Sequence, residues 1–277
     1  MWVRRVALLI ALCLVAACAP VATGFASGAS VHRINVGGVD RVYRLYVPDG
    51  LPPSAPLVVM LHGWTGSAEQ AERQYGWNDK ADSAKFVVAY PDGIGESWNV
   101  DSCCGKASED KVDDVGFITA VVDNVTDHLG IDKTRIYAAG ISNGGIMAYK
   151  MACNTDLFAA IGPDAATILA ACPAPRPTSV LHIHGTDDKT VRYDGQPGIA
   201  LPVQTMTPPD VNAFWRNVDQ CAPPATTVDG DLTTSVAACP SGRSVELITV
   251  AGGKHDWPSF ATEKMWDFFA AHPHPPT

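Results

Sequence analysis

The stretch YAAGISNGGIM, residues 137–147, places three glycines and one serine on a bend between two apolar segments. Its centre, Gly140-Ile141-Ser142-Asn143-Gly144, matches G-x-S-x-G. Alone the pattern is weak, because ordinary glycine and serine frequencies give on the order of 0.1 such matches in a chain this long. The flanks decide its meaning. Arg135 to Ala139 reads as a short strand, and Ile146 to Ala152 as the start of an apolar helix. That strand–turn–helix frame is what holds a nucleophilic serine on a strained bend, its hydroxyl above the sheet. Glycines two places to either side leave room for crossing backbone. A phosphate cradle does not fit: no lysine follows as in a P-loop, and there is no G-x-G-x-x-G.

Working outward, short apolar runs recur. VHRINVGGVDRVYRLYVP alternates around Gly37-Gly38 and predicts a hairpin. PLVVMLHG, KFVVAYPDG, RIYAAGIS, SVLHIHGTDD and VELITVAGG predict strands buried on both faces. Between and after them lie helix-like segments: DDVGFITAVVDNVTDHLG, which stops at Gly130, then GGIMAYKMAC, PPDVNAFWRNVDQC and TEKMWDFFAAH. Strands alternating with helices predict an α/β domain, its sheet mostly parallel and covered by helices on both faces. Residues 31–277 are expected to form this single domain.

A nucleophilic serine needs a base and an orienting acid. Of eight histidines, His32 falls in the hairpin, His128 in a helix, and His272 and His274 in the tail. His62, His182 and His184 sit at strand ends. His255, in VAGGKHDWP, follows the last apolar strand on a loop at a strand's C-terminal edge, where functional groups of such sheets gather. The acid should lie between serine and base. LHIHGTDDKTVRYD offers Asp187, Asp188 and Asp194, and spacing does not choose between Asp187 and Asp188. The order Ser, Asp, His is that of an α/β-hydrolase. Two backbone N–H donors should face a developing oxyanion. One is assigned to Asn143, after the serine. The other is assigned to Trp64, with Gly63 as fallback, in the His62-Gly63 turn of VVMLHGWTG. His182 and His184 share a strand face but lack an evident third ligand, so they are read as packing behind the site and no metal is expected.

Composition narrows the partners. The net charge of −9, with 20 Lys+Arg and no basic run, argues against nucleic acid. MWVRRVALLIALCLVAACAP has a basic start and about 12 apolar residues, too few to span a bilayer, and reads as a signal peptide over residues 1–17. Ala17-Cys18-Ala19 fits an A-x-A cleavage site, but Pro20 would follow the cut. VAAC, residues 15–18, resembles a bacterial lipobox, which implies a lipidated Cys18 and membrane association through that anchor. Residues 19–30 then read as a flexible tether. Export leaves Cys103, Cys104, Cys153, Cys172, Cys221 and Cys239, an even set suited to about three disulfides.

LHGWTGSAE, YPDG, SWN, CCGKA, DDVGFI, GISNGG, FAAIGPDAA, HIHGTDDKTVRYDG and GGKHDWP together resemble the polyhydroxybutyrate depolymerase group, which also holds feruloyl and acetylxylan esterases. The resemblance covers roughly residues 32–270. It implies an exported serine esterase acting through an acyl-enzyme without a cofactor. The group's H-G-T-x-D-x-x-V pattern falls on His184, Gly185, Thr186, Asp188 and Val191, which implies that Asp188 is the acid. Lys254 departs from the group's glycine before the histidine, and Ser259 stands where many relatives carry glycine. The resemblance also implies a Cys221–Cys239 pair, with Cys103 and Cys104 each stapled to Cys153 or Cys172. Trp98, Asn99 and Trp257 are candidate pocket walls. Extracellular polyester depolymerases of the group commonly carry a polymer-adsorbing module. None is seen in this sequence, so soluble hydroxyalkanoate oligomers, or acyl and feruloyl groups on carbohydrate, are the expected substrates rather than crystalline polymer.

Overall fold

The computed structural model describes residues 25–169, 171–172 and 175–275. The signal-peptide segment, Cys18 and the first part of the tether lie outside the described residues. A hairpin comes first, β1 (Gly28–Val36) and β2 (Val39–Val47), in register from Gly28 opposite Val47 to Val36 opposite Val39. The folded domain thus begins before residue 31. Residues 28–30, read as tether, are the start of β1, and the Phe25 ring packs 4.4 Å from His32 and 4.8 Å from His128.

Next come β3 (Leu57–Leu61), α1 (Ala68–Gln74), α2 (Trp77–Ala84), β4 (Val87–Pro91), α3 (Gly105–Glu109), α4 (Asp114–Leu129), β5 (Ile136–Ile141) and α5 (Asn143–Asn154). They are followed by β6 (Ala160–Asp164), β7 (Ser179–Gly185), α6 (Pro208–Val218), β8 (Ala225–Asp229), β9 (Leu232–Ala238), β10 (Ser244–Val250) and α7 (Ala261–Ala271). The strands form one sheet in the order β1-β2-β4-β3-β5-β6-β7-β10-β9-β8. The six central strands, β4 to β10 in that order, run parallel, and antiparallel pairs close both edges.

The continuous apolar runs have a physical reading in the two cores. Leu57, Val59 and Leu61 of β3 pack on one face with Phe117, Ile146, Met147 and Trp215 from α4, α5 and α6. Val58 and Met60 pack on the other with Trp77, Ala81, Met265 and Phe269 from α2 and α7. A strand with helices on both faces needs no polar alternation. Asp113 caps α4 by accepting from Gly116 N–H, and Gly130 ends it in the left-handed conformation, the stop the sequence predicted.

Three kinds of element lacked a readable signal. Helices α1 to α3 are only five to eight residues long, below the span over which periodicity is legible. The β8–β9 hairpin lies at the exposed sheet edge, where no burial pattern is imposed on β8. β6 contains Gly162 and Pro163, which argue against a central strand. It is central nonetheless. Pairing with β7 skips Gly162 and Pro163, and α7 packs so closely that a Cβ on Gly162 would meet Met265 Sδ at 2.8 Å.

The disulfides require a correction. Cys221 pairs with Cys239, as expected, with Cα atoms 3.9 Å apart. Cys153, in the last turn of α5, pairs with Cys172, at a Cα separation of 5.0 Å. Cys103 and Cys104 therefore do not staple to them and are joined to each other. The reason is position: Cys153 and Cys172 close a short excursion around β6, whereas Cys103 and Cys104 sit on the loop beside Trp64, where Ser108 donates a hydrogen bond to the Cys103 carbonyl.

Phe269 is fully buried and stacks on Tyr137 with ring centroids 5.0 Å apart. Phe269→Ala should destabilise the domain by about 3–5 kcal/mol. Urea unfolding of both proteins measures this.

Candidate active site

Ser142 sits between β5 and α5 at φ 55°, ψ −124°, a conformation a serine adopts only when its surroundings impose it. They do so by crowding. A Cβ on Gly140 would meet the Gly144 carbonyl oxygen at 2.4 Å, and a Cβ on Gly144 would meet the Leu61 and His62 carbonyl oxygens at 2.2 and 2.5 Å. The two glycines let β5, α5 and the end of β3 touch backbone to backbone. Ser142 N–H donates to the Asp164 carbonyl of β6, so the neighbouring strand also fixes the bend.

The residues brought together are those the sequence singled out. His255 Nδ1 lies 2.7 Å from Asp188 Oδ2. With Nδ1 so engaged, Nε2 is the ring atom left for proton exchange. His255 and Ser142 share the walls of a cavity of about 170 Å³ with Gly63, Trp64, Gln70 and Tyr75. Asp187 is exposed and its backbone N–H donates to the Gly253 carbonyl; its carboxylate is not the group that meets His255. Asp194 pairs with Arg192 at the surface. Between the alternatives left open by spacing, the geometry selects Asp188.

Asp188 is 2% exposed. Burial alone would raise its carboxyl, but hydrogen bonds from His184 and His255 outweigh that and hold it well below the usual carboxylate range. Its Oδ1 accepts from the Thr190 and Val191 N–H groups at 2.7 and 2.9 Å. Behind it runs a buried chain. His184 Nε2 lies 2.8 Å from the Val191 carbonyl and 3.3 Å from Asp188 Oδ2. His184 Nδ1 lies 3.1 Å from His182 Nε2, and His182 Nδ1 lies 2.9 Å from the Tyr149 hydroxyl. A carbonyl only accepts, so His184 Nε2 carries a proton. The neutral tautomers that satisfy every contact then run one way: Tyr149 donates to His182, His182 to His184, and His184 towards Asp188. Burial, and then the neighbouring His184, hold His182 neutral, its pKa well below the ordinary histidine value. The pair mistaken most easily for metal ligands has every ring nitrogen engaged within the protein.

Asn143 follows the serine and Trp64 lines the same cavity, and neither of their N–H groups, the assigned oxyanion donors, donates to a protein acceptor among the described residues. The turn that carries Trp64 is held from behind. His62 contacts the Gly63 carbonyl through Nδ1 at 2.8 Å and accepts from Gly93 N–H through Nε2 at 3.0 Å, while burial lowers its pKa. Asn143 does more than lend a backbone N–H. Its side chain accepts from Trp98 N–H at 2.7 Å and donates to the Trp98 carbonyl at 3.2 Å, and the Trp98 indole N–H donates to the His62 carbonyl at 2.8 Å. Trp98 thereby ties the serine bend to the turn that carries Trp64.

This corrects two of the pocket assignments. Trp98 is fully buried and lines no cavity at Ser142. Asn99 braces the same loop: its N–H donates to Asp114 Oδ2 at 2.7 Å and its amide to the Val112 carbonyl, while Asp114 pairs with buried Arg41. Trp257 does line a cavity, of about 560 Å³, and packs 5.0 Å from Tyr75. Tyr75 is a wall of both that cavity and the one at Ser142, so the two adjoin. The aromatic walls that sequence reading missed are the Trp64 side chain and Tyr75. Trp64 is 43% exposed and had a signal in HGWTG, where only its backbone was considered; Tyr75 lay between two helices too short to be read.

Two outcomes follow from these contacts. Gly144→Ala must push α5 from the end of β3, and a shift of about 1 Å at Ser142 should lower kcat on a soluble ester by roughly 100-fold. Steady-state kinetics beside circular dichroism check it. His184→Phe removes one donor to Asp188. A depressed carboxyl stabilises the fold above its unfolded pKa, and that contribution is lost as pH falls through its folded pKa. The variant's folded pKa is higher, so its acid unfolding should begin at higher pH than in the parent, as a pH titration of tryptophan fluorescence would show.

Similarity to known proteins converges on the same chemistry. The family model for esterase PHB depolymerase matches residues 41–185, just over half the chain. NocK of Nocardia uniformis subsp. tsuyamanensis, assigned as an esterase, is 35% identical over 260 residues, covering 83% of this chain and 74% of that protein. Feruloyl esterase C of Emericella nidulans is 29% identical over 262 residues, covering 87% and 86%. Among solved structures, an acetyl xylan esterase from Aspergillus awamori superposes with a TM-score of 0.67 at 17% identity, over 87% of this chain and 99% of that one. The mostly parallel sheet, its helical layers and these similarities place the chain in the esterase PHB depolymerase family of α/β-hydrolases.

Proposed function

We propose that this carboxylic ester hydrolase works through an acyl-enzyme on Ser142. The observation that carries the reading is the 2.7 Å Asp188–His255 contact on a ring that shares its cavity with Ser142. His255 takes the serine proton as Oγ attacks the ester carbonyl. Asp188 fixes the ring and stabilises the imidazolium. Trp64 N–H and Asn143 N–H hold the tetrahedral oxyanion. His255 then returns the proton to the departing alcohol, and water activated by the same ring releases the acid. The triad, the two N–H donors and water supply every proton and charge in these steps, so the reaction needs no cofactor.

The substrates proposed are hydroxyalkanoate oligomers, or acyl and feruloyl groups on carbohydrate. The feruloyl esterase relative and the aromatic walls Trp64, Tyr75 and Trp257 support that range. Export, with anchoring through Cys18, is proposed from the sequence of residues 1–18 alone.

A fluorophosphonate probe should label the folded protein, and Ser142→Ala should abolish labelling and lower p-nitrophenyl acetate hydrolysis by roughly 10⁵-fold or more. Absence of labelling in folded parent protein refutes the mechanism. Comparison with the matching anilide separates an esterase from a peptidase.

A further inference from the structure

A second cavity, of about 350 Å³, also has His255 in its wall. His255 lines both cavities, whereas Ser142 and Trp64 line only the first of the two. The second is walled by Asp187, Lys189, Thr190 and Lys254. It is a built feature. Asp187 N–H donates to the Gly253 carbonyl, Thr186 N–H to the Val250 carbonyl, and Gly252 N–H to Thr186 Oγ1 at 2.8 Å. Ile199 N–H donates to the Lys189 carbonyl. The two loops that present the lysines are therefore clamped to each other.

In a chain of net charge −9, two cations beside the base call for a counter-charge. Neither lysine makes an ion pair among the described residues. Asp187 stands on the same rim without bridging to either, Asp188 is committed to the two histidines, and Asp256 lines a neighbouring cavity with Lys254 without forming an ion pair to it. Chemistry says which part of a substrate lies here. The ring that took the serine proton must hand it to the leaving oxygen, so the alcohol half departs past His255. The acyl oxygen points the other way, into the oxyanion turn.

We infer that Lys189 and Lys254 form a subsite for a carboxylate on the leaving alcohol, so that the preferred substrates are esters of a hydroxy acid or a uronic acid. This rests on the acyl-enzyme reading above. In acylation the Ser142 Oγ–acyl bond forms as the acyl–oxygen bond breaks. The His255 proton goes to the departing oxygen, and the free hydroxy acid leaves with its carboxylate on the lysines.

The test compares kcat/KM of the purified protein for 3-butyryloxybutyrate and for the same ester with its carboxylate capped as an amide, by chromatography of released butyrate. A second pair uses the butyryl ester of glucuronic acid and that of glucose. The free carboxylate should give an advantage of about tenfold, as two partly exposed charge pairs supply. The advantage should shrink in Lys189→Gln/Lys254→Gln, persist in Lys189→Arg/Lys254→Arg, and fall with added salt. An advantage in both pairs assigns a general carboxylate subsite; one in the first pair alone assigns linear hydroxy acids. Equal rates for free and capped esters, or an advantage untouched in the glutamine variant, overturn the subsite. If the capped ester is still cleaved and Ser142→Ala abolishes it, the esterase reading survives that result. Cleavage that does not depend on Ser142 overturns both.

Discussion

Everything at the site depends on one crossing of backbones. Ser142 can hold a positive φ only while α5 starts against the end of β3, and that contact exists only because residues 140 and 144 have no side chain. The strain is small beside what fixes it: β5 is buried on both faces, and its neighbours β3 and β6 are hydrogen-bonded to it along their length. A strained residue persists where rigid neighbours leave it no alternative. The same closeness brings the His62-Gly63 turn beside the serine, so the bend and the turn that carries Trp64 are consequences of one packing contact.

A second layer of polar contacts keeps that geometry from drifting. Trp98 is joined to Asn143 through its backbone and to His62 through its indole, and its loop is anchored by Asp114 and Arg41 beneath. On the other side, Asp188 is a carboxylate removed from water, which is costly unless donors replace the solvent. Thr190, Val191, His184 and His255 do so. Asp164 shows the opposite case in the same neighbourhood. It is buried, its Oδ2 has no partner, and burial with Asp256 and Asp188 nearby pushes its carboxyl well above the usual range. The carboxyls of two aspartates at adjacent strand ends are thus pushed in opposite directions, because donors surround only one of them.

The extent to which this was legible follows from how local each signal is. The serine bend, the strands buried on both faces and α4 with its stop at Gly130 are written in consecutive residues, and each was readable. The choice of Asp188 over Asp187 was not, because adjacent residues on a turn point in opposite directions and only the fold says which one meets His255. Trp98 looked like a pocket wall because an aromatic near a glycine turn fits a wall or a brace equally well; its burial depends on Asn143, 45 residues away. The cysteines failed for a related reason. Adjacent Cys103 and Cys104 argued for distant partners, yet Cys153 found Cys172 across β6, a strand hidden from sequence reading by its own Gly162 and Pro163.

What the fold leaves to substrate choice is the rim, and the rim is asymmetric. Trp64 and Tyr75 line the cavity that His255 shares with Ser142, and Trp257 the one adjoining it at Tyr75; Lys189 and Lys254 line the second cavity at His255. The aromatic side can take apolar or sugar-like groups of many shapes by stacking and exclusion of water. The lysine side selects by charge, which is a sharper criterion, because a neutral group gains nothing there. Trp64, Lys189 and Lys254 are exposed, so they can change without disturbing the bend. A scaffold of this kind keeps its chemistry in buried contacts and its specificity in exposed ones, and substrate identity is therefore to be sought in residues such as Lys254 rather than in the serine motif.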